Sequence, residues 1–459
     1  MNYQPKNIVL SDVKLPKFPI PEVFPQLPDE VYQLRLAKVL DLMKKSDLDV
    51  IIIYADREHF ANFNYIIGFE PRFEEGLAVL HSDGKCRLFL GNECFPMHKT
   101  ARIPVSAQLY PTISLPSQPD SVKEPLDELL KAAGISSESK VGVVGWKLLA
   151  EDQFCIPTFI YQAIAKIVAP ETIRNVTHLF IAPGYGIRVT NTEDEIAYYE
   201  HGATLASNSV WNAINSKWLG ERELDIANKF AVYGQPLSCH PTIAAAENTK
   251  KGLISANVYR AKYGDPVTNS LGMRGGPSVR NGYLVDGVNS VPEAAKEFAD
   301  NICLTYFKAV VAWVENMKIG VTGGEIFDLV NSIIPKEKFG WVLNPGHLIS
   351  DEEWLSSPFA PGCTDKIDSG MLIQMDIIPS IDGYISPNCE DGFCIADEAL
   401  QQKLKEKYPE VYERMIMRRD YMRNELNIDV PDEVLPMSNL ASWYAPYYFN
   451  LNLAYTVQK

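Results

Sequence analysis

The sequence lacks most of the features that would class it at a glance. None of its eight cysteines forms a Cys-x-x-Cys pair, and only Cys389 and Cys394 lie close together late in the chain. They read as reduced, buried thiols in a cytoplasmic protein. No uninterrupted apolar run is long enough to span a bilayer. The first residues, MNYQPKNIVLSDVKLPKF, hold no apolar stretch behind a basic start, so no leader peptide is expected. Basic residues are outnumbered, 43 Lys and Arg against 58 Asp and Glu, and the formal net charge is -15. Nucleic acid and anionic membrane both reward clustered Lys and Arg, so neither is expected as a partner. No internal repeat is visible. The glycines at Gly275-Gly276-Pro277 are too few and wrongly placed for a phosphate loop.

What is present suits a large core. Of 459 residues, 46% are hydrophobic and 22% charged, and the length allows two or three domains. Pro5, Pro16, Pro19, Pro21, Pro25 and Pro28 punctuate the first segment, which is expected to run as an extended arm. Such an arm could wrap a partner subunit or strap its own chain. Leu34, Leu36, Val39, Leu40 and Met43 predict a helix over 31–45. Strands are expected at 49–54 and 140–144, a hairpin over 75–90, and a helix over 122–133; the alternation suggests an open mixed sheet with flanking helices. Two capping boxes, Thr192 to Glu195 and Thr322 to Glu325, should open helices, the first running to about 216. A further helix is expected over 292–318, with strands at 267–271, 283–285, 371–378 and 392–395. The domain boundary is placed just before Thr192, giving 1–188 and 189–459. The tail over 431–459 has no clear period.

The chemistry concentrates between Trp341 and Leu400. This stretch holds Asn344-Pro-Gly-His347, Ser369-Gly-Met371, Gln374-Met-Asp-Ile-Ile-Pro379 and Cys389-Glu-Asp-Gly392, with Gly282-Tyr-Leu-Val-Asp286 upstream. Carboxylates and one imidazole from separate strands can converge on a divalent cation such as Mn²⁺, Co²⁺, Fe²⁺ or Zn²⁺. Each residue also has a plainer reading: His347 as a turn residue, Asp376 as the end of a strand, Asp286 as a turn before Gly287.

These phrases, in this order, resemble the creatinase, prolidase and aminopeptidase P family, the pita-bread peptidases of family M24. The resemblance covers nearly the whole chain. It implies an α/β (α+β) protein: a small N-terminal mixed α/β domain of the creatinase type, then a C-terminal pita-bread domain that carries the catalytic groups. Family members hold two metals with two Asp, one His and two Glu. By the resemblance the metal ligands are Asp286, His347, Asp376 and Glu390, and His347 and Glu390 take part in catalysis. Ser270 stands where the first Asp is expected, and Asp376 where a longer Glu is usual. One divalent metal, Mn, Co or Zn, or none, is therefore expected rather than two.

Two further departures stand out. No His follows the first central strand, where the chain reads Thr242-Ile-Ala-Ala-Ala-Glu247. A His-Glu pair expected soon after His347 is replaced by Asp351-Glu-Glu-Trp-Leu355. Candidate substrate contacts are His240, Ser270, Arg274 and Arg280; a guanidinium could grip a carboxylate there or stand in for the metal, though a solvated hairpin tip is the plainer reading. The resemblance implies a metal-dependent Xaa-Pro aminopeptidase or dipeptidase acting on small peptides. A metal-free, creatinase-like hydrolase of a small C–N compound and a non-catalytic binding protein are the alternatives. It also implies a homodimer.

Overall fold

The computed structural model describes residues 3–71, 73–117 and 124–459. The chain divides into two compact units, Leu27–Arg188 and Met1–Gln26 with Val189–Lys459. The arm is extended, as its prolines require, and forms β1 (Ile8–Asp12). It goes with the second unit, whereas the division at 188 had placed it with the first.

The unit Leu27–Arg188 starts with α1 (Asp29–Lys45), whose acidic first turn, Asp29 and Glu30, suits the positive end of the helix dipole. It continues through β2 (Val50–Ala55), α2 (Ala61–Ile67), β3 (Gly76–His81), β4 (Cys86–Leu90), β5 (Ser106–Leu109), α3 (Leu126–Ala132), β6 (Val141–Val144), α4 (Thr158–Ala165), β7 (Ile173–Asn175) and α5 (His178–Ile181). Val122, where a helix was expected to start, lies outside the described residues. Among the described residues the strands form a mixed six-stranded sheet in the order β5-β4-β3-β2-β6-β7. Every residue of β2 is buried. Val50, Ile52, Val79, Phe89, Val141 and Val143 pack with Leu130 of α3 and Ile160 of α4 in one apolar cluster.

The second unit opens on α6 (Glu193–Ile214). Both halves of its capping box form: Thr192 N–H donates to Glu195 Oε2 at 2.8 Å, and Glu195 N–H to Thr192 Oγ1 at 3.5 Å. There follow α7 (Glu223–Ala227), β8 (Leu237–Ala245), β9 (Pro266–Met273), β10 (Gly276–Tyr283), α8 (Leu304–Asn316), α9 (Gly323–Ile333), α10 (Lys336–Phe339), β11 (His347–Leu348), β12 (Leu372–Met375), β13 (Cys389–Ile395), α11 (Glu398–Lys407), α12 (Pro409–Asn424), β14 (Val434–Pro436) and β15 (Leu453–Val457). Its main sheet runs β11-β12-β13-β10-β9-β8, with β14 beside β13. β15 pairs with β1, from Ile8 opposite Val457 to Asp12 opposite Leu453.

Two elements differ from expectation. The strand expected at 283–285 is the end and exit of a longer one: Gly275 and Gly276, both at positive φ, turn the chain so that β10 pairs along β9 from Gly276 opposite Met273 to Tyr283 opposite Pro266. Pro277, Ser278 and Asn281 have little strand propensity, and the hairpin supplies what they lack. The helix expected over 292–318 is regular only in α8. Residues Phe298–Cys303 form a wider turn, where Tyr455 Oη–H donates to Ala299 O at 2.8 Å and Phe298 packs edge-on against Tyr283 at 4.9 Å. Thr322 caps α9 as its motif required.

Candidate functional site

Strand pairing decides which side chains meet, because successive residues point to opposite faces. Glu390 on β13 lies opposite Val279 on β10, Val279 opposite Ser270 on β9, and Ser270 opposite Thr242 on β8. These four therefore share one face, in a row across the sheet. Gln374 on β12 lies opposite both Gly392 on β13 and His347 on β11, which brings Gln374 and His347 to the face of Glu390. Asp376, one residue past β12, hydrogen-bonds Glu390. The residues before and after this parity, Arg280 and Asp391, take the opposite face.

On the first face one ligand atom from each of His347, Glu353 and Glu390 lies within 4.8 Å of the others. His347, Asp376 and Glu390 are 0%, 3% and 4% exposed. His347 Nδ1 lies 3.2 Å from Leu348 O; a carbonyl only accepts, so Nδ1 carries the proton and Nε2 presents its lone pair. Nε2 is buried and has no hydrogen-bond partner among the described residues, and the same holds for Asp376 Oδ1 and Gln374 Oε1. Gln374 Nε2–H donates to Pro277 O at 2.8 Å and Glu390 Oε1 at 3.2 Å. The Trp354 ring stacks on the imidazole, centroids 4.2 Å apart and planes 18° apart.

Gly346 makes this approach possible. Its φ is +134°, and a Cβ there would stand 2.7 Å from Gln374 O. Only glycine brings the chain into β11 so close to β12.

Burial governs the charge of the cluster. It lowers the His347 pKa to about 4, so the ring is neutral. It pushes the carboxyls of Glu353, Asp376 and Glu390 upward, and for the last two the neighbouring acids push further. Three acids at this range do not all ionise without a cation. The donor set is oxygen-rich with one imidazole lone pair, and its buried acceptor atoms lack partners. It fits one divalent cation of the Mn²⁺, Co²⁺ or Zn²⁺ type. Along the same row Val279, Ser270 and Thr242 bring no charge, so a second cation has no carboxylate of its own.

The remaining sequence candidates lie elsewhere. Asp286 is exposed beyond the end of β10, accepts from Tyr263 Oη–H at 2.7 Å, and is not in the cluster; the strand had ended at Tyr283, so its phrase falls in a loop. Ser270 is two strands from Glu390, about 10 Å at ordinary strand spacing. Arg280 is buried on the opposite face, where Nη2 pairs with Asp391 at 2.6 Å and Nε–H donates to Trp443 O at 2.7 Å. It neither stands in for a cation nor reaches substrate on the Glu390 face. Arg274, after β9, donates from Nη1 to Tyr198 Oη at 2.6 Å and lies 3.8 Å from Asp351. His240 is exposed, its Nε2–H donating to Leu253 O at 2.8 Å. Glu353, Trp354 and Gln374 were not among the candidates. The only sequence signal for the first two was the acidic, tryptophan-bearing replacement of the expected His-Glu pair.

Comparison with known proteins agrees with this architecture. Residues 35–180 match the Creatinase/Prolidase N-terminal domain. No curated protein matches the sequence. Among solved structures, a prolidase from Pyrococcus horikoshii OT3 superposes with a TM-score of 0.62 at 19% identity, covering 79% of this chain and 95% of that one. A Xaa-Pro dipeptidase from Bacillus anthracis gives 0.61 at 16%, covering 80% and 96%. An X-Pro aminopeptidase from Thermotoga maritima MSB8 gives 0.61 at 12%, covering 79% and 95%. Residues 35–180 thus form a Creatinase/Prolidase N-terminal domain, and most of the chain shares the pita-bread fold of these solved structures.

Proposed function

We propose that the protein is a one-cation hydrolase of short peptides, cleaving bonds to proline. The convergence of His347, Glu353 and Glu390 within 4.8 Å, with Asp376 bonded to Glu390, carries this reading. The substrate class rests on the prolidase, Xaa-Pro dipeptidase and X-Pro aminopeptidase neighbours. His347, Asp376, Glu390 and Glu353 would hold the cation, which when bound polarises a carbonyl and acidifies water. Leu348 O fixes the His347 tautomer and so aims Nε2 inward. Glu390, held by Gln374 and Asp376, is the group placed to take and return a proton. The enclosure around these groups keeps bulk water from screening them.

The test is direct. The wild type, incubated with Mn²⁺, Co²⁺ or Zn²⁺, should retain about one ion per chain and hydrolyse Xaa-Pro dipeptides or Xaa-Pro-initiated tripeptides; His347→Ala should lose ion and activity together. Absence of both metal and turnover would overturn the reading. The second reading, a metal-free hydrolase of a small C–N compound, is favoured by the upward push on Glu390 and Asp376, which keeps the cluster protonated and neutral without a cation. Turnover that survives chelation separates the two, and ligand-induced stabilisation without turnover would indicate a binding protein. We further take the protein to be a cytoplasmic homodimer; light scattering tests the assembly.

A further inference from the structure

The chain leaving β11 folds straight back on it. Leu348 N–H donates to Ser356 O at 2.7 Å, Leu355 N–H to Leu348 O at 2.9 Å, and Ser350 N–H to Glu352 O at 3.2 Å. Leu355, 4% exposed, anchors the return. Residues 349–355 therefore make a tight loop whose far side comes back to the level of His347. That loop delivers two side chains at once: the Glu353 carboxylate into the cluster and the Trp354 ring onto the imidazole.

On the strands beyond Glu390, the same face offers no equivalent. Val279 and Asn281 on β10, Thr268 and Ser270 on β9, and Thr242 on β8 are uncharged, and Asp286 is exposed past the strand end. We propose that Glu353 is the carboxylate that completes the cation site of this chain, in place of any donor from β9 or β10, and that Trp354 is the positioning residue that holds it there. This rests on the one-cation reading above.

The distances suit the role. Donors on one cation about 2.1 Å away can stand at most about 4.2 Å apart. A group already gathered within 4.8 Å closes on the ion by about half an ångström, a shift that side-chain rotation supplies. Burial that already raises the Glu353 pKa is relieved by the cation's charge. A parallel stack at 4.2 Å fixes the loop against β11 through the ring of the very ligand it must match, so the two donors keep register.

The experiment measures Mn²⁺ and Zn²⁺ binding by calorimetry, metal content per chain, and melting with and without chelator, for the wild type, Glu353→Gln, Glu352→Gln, Trp354→Ala and Trp354→Phe. The wild type should bind one ion. Glu353→Gln should weaken binding by more than about tenfold, the lower end of what even the outer partners of a ligand contribute. It should lose most of the metal-induced rise in Tm, yet melt no lower than the wild type in chelator, because an amide replaces a buried acid. Trp354→Ala should weaken binding and Trp354→Phe restore most of it, while Glu352→Gln behaves as the wild type. Wild-type affinity in Glu353→Gln would overturn the inference and leave the one-cation reading standing, whether or not that variant melts lower in chelator. A wild type that binds neither ion would overturn both.

Discussion

Ser270 and Asn281 are diagonal neighbours on adjacent strands: Thr268 lies opposite Asn281, and Ser270 is two residues along β9 on the same face. Both carry neutral side chains, and the acid in line with them among the described residues is Glu390, beyond Val279. A second cation needs its own carboxylates, because one shared Glu cannot offset two buried divalent charges. Ser270→Asp alone should therefore leave one ion per chain, and Ser270→Asp with Asn281→Asp should raise it toward two. Two ions bound by the single variant would refute this. Gly346 gives a second residue-scale expectation. Alanine there must hold a φ of +134° with its Cβ 2.7 Å from a backbone oxygen. Strain of that kind costs on the order of 1–3 kcal/mol. Gly346→Ala should lose at least that in urea unfolding and bind cations more weakly, since His347 is the next residue. That His347, Asp376 and Glu390 would be neighbours was legible in the sequence because each sits in a short local phrase. Arg280 misled because which face it takes depends on the pairing of Val279 with Glu390, a register no single strand reveals. Asp286 misled because its phrase promised a strand that stops at Tyr283. Glu353 was illegible because it is brought in by a loop that folds back, not by a periodic element.

At the scale of elements, α6 and α12 are joined by a buried carboxylate between two arginines. Glu200 Oε2 accepts from Arg414 Nη2 at 2.6 Å and Oε1 from Arg418 Nη1 at 2.7 Å, all three nearly inaccessible to water. Burial alone would raise the Glu200 pKa; the charge of Arg418 and the bonds from Arg414 outweigh it, and the net shift is downward. A carboxyl with a depressed folded pKa contributes stability that is present above its unfolded value, near 4.3, and lost as pH falls through the folded value. Glu200→Gln should thus destabilise the protein at pH 7 by about 3–5 kcal/mol, the cost of leaving buried guanidinium groups without their partner. The gap to the wild type should narrow as pH falls below about 4. An unchanged gap at acid pH, measured by urea titration, would show that the charge is not what joins the helices. α6 itself was readable from Thr192 to Glu195, because a capping box is purely local. Its pairing with α12 was not, since Glu200 lies more than 200 positions from both Arg414 and Arg418 and meets them only in the fold. Nor could β10 be read, since its residues form a strand only because β9 and β13 flank it.

At the scale of the molecule, the arm was legible as extended but not as to where it docks. Pairing of β1 with β15 joins residue 8 to residue 457, and the arm adds Tyr3 Oη–H to Glu315 at 2.9 Å, Lys6 Nζ to Glu315 at 2.8 Å, and Lys14 O accepting from Tyr421 Oη at 2.8 Å. Phe18 packs edge-on against Tyr421 at 5.7 Å. The strap therefore closes on its own chain. Ile8 and Val13 are buried in doing so, and burial of such side chains contributes about 1.5–3 kcal/mol each before the cost of ordering the arm. An arm consumed in this way is not free to bind a second copy, so a homodimer would have to use other surfaces. Removing residues 1–26 should lower the stability of the unit that follows Val189 by a few kcal/mol and speed hydrogen exchange at 453–457, which lose their strand partner. It should leave the oligomeric state by light scattering as it was. Conversion of a dimer to monomer by that deletion, with exchange at 453–457 unchanged, would mean that β1 pairs in solution with another chain.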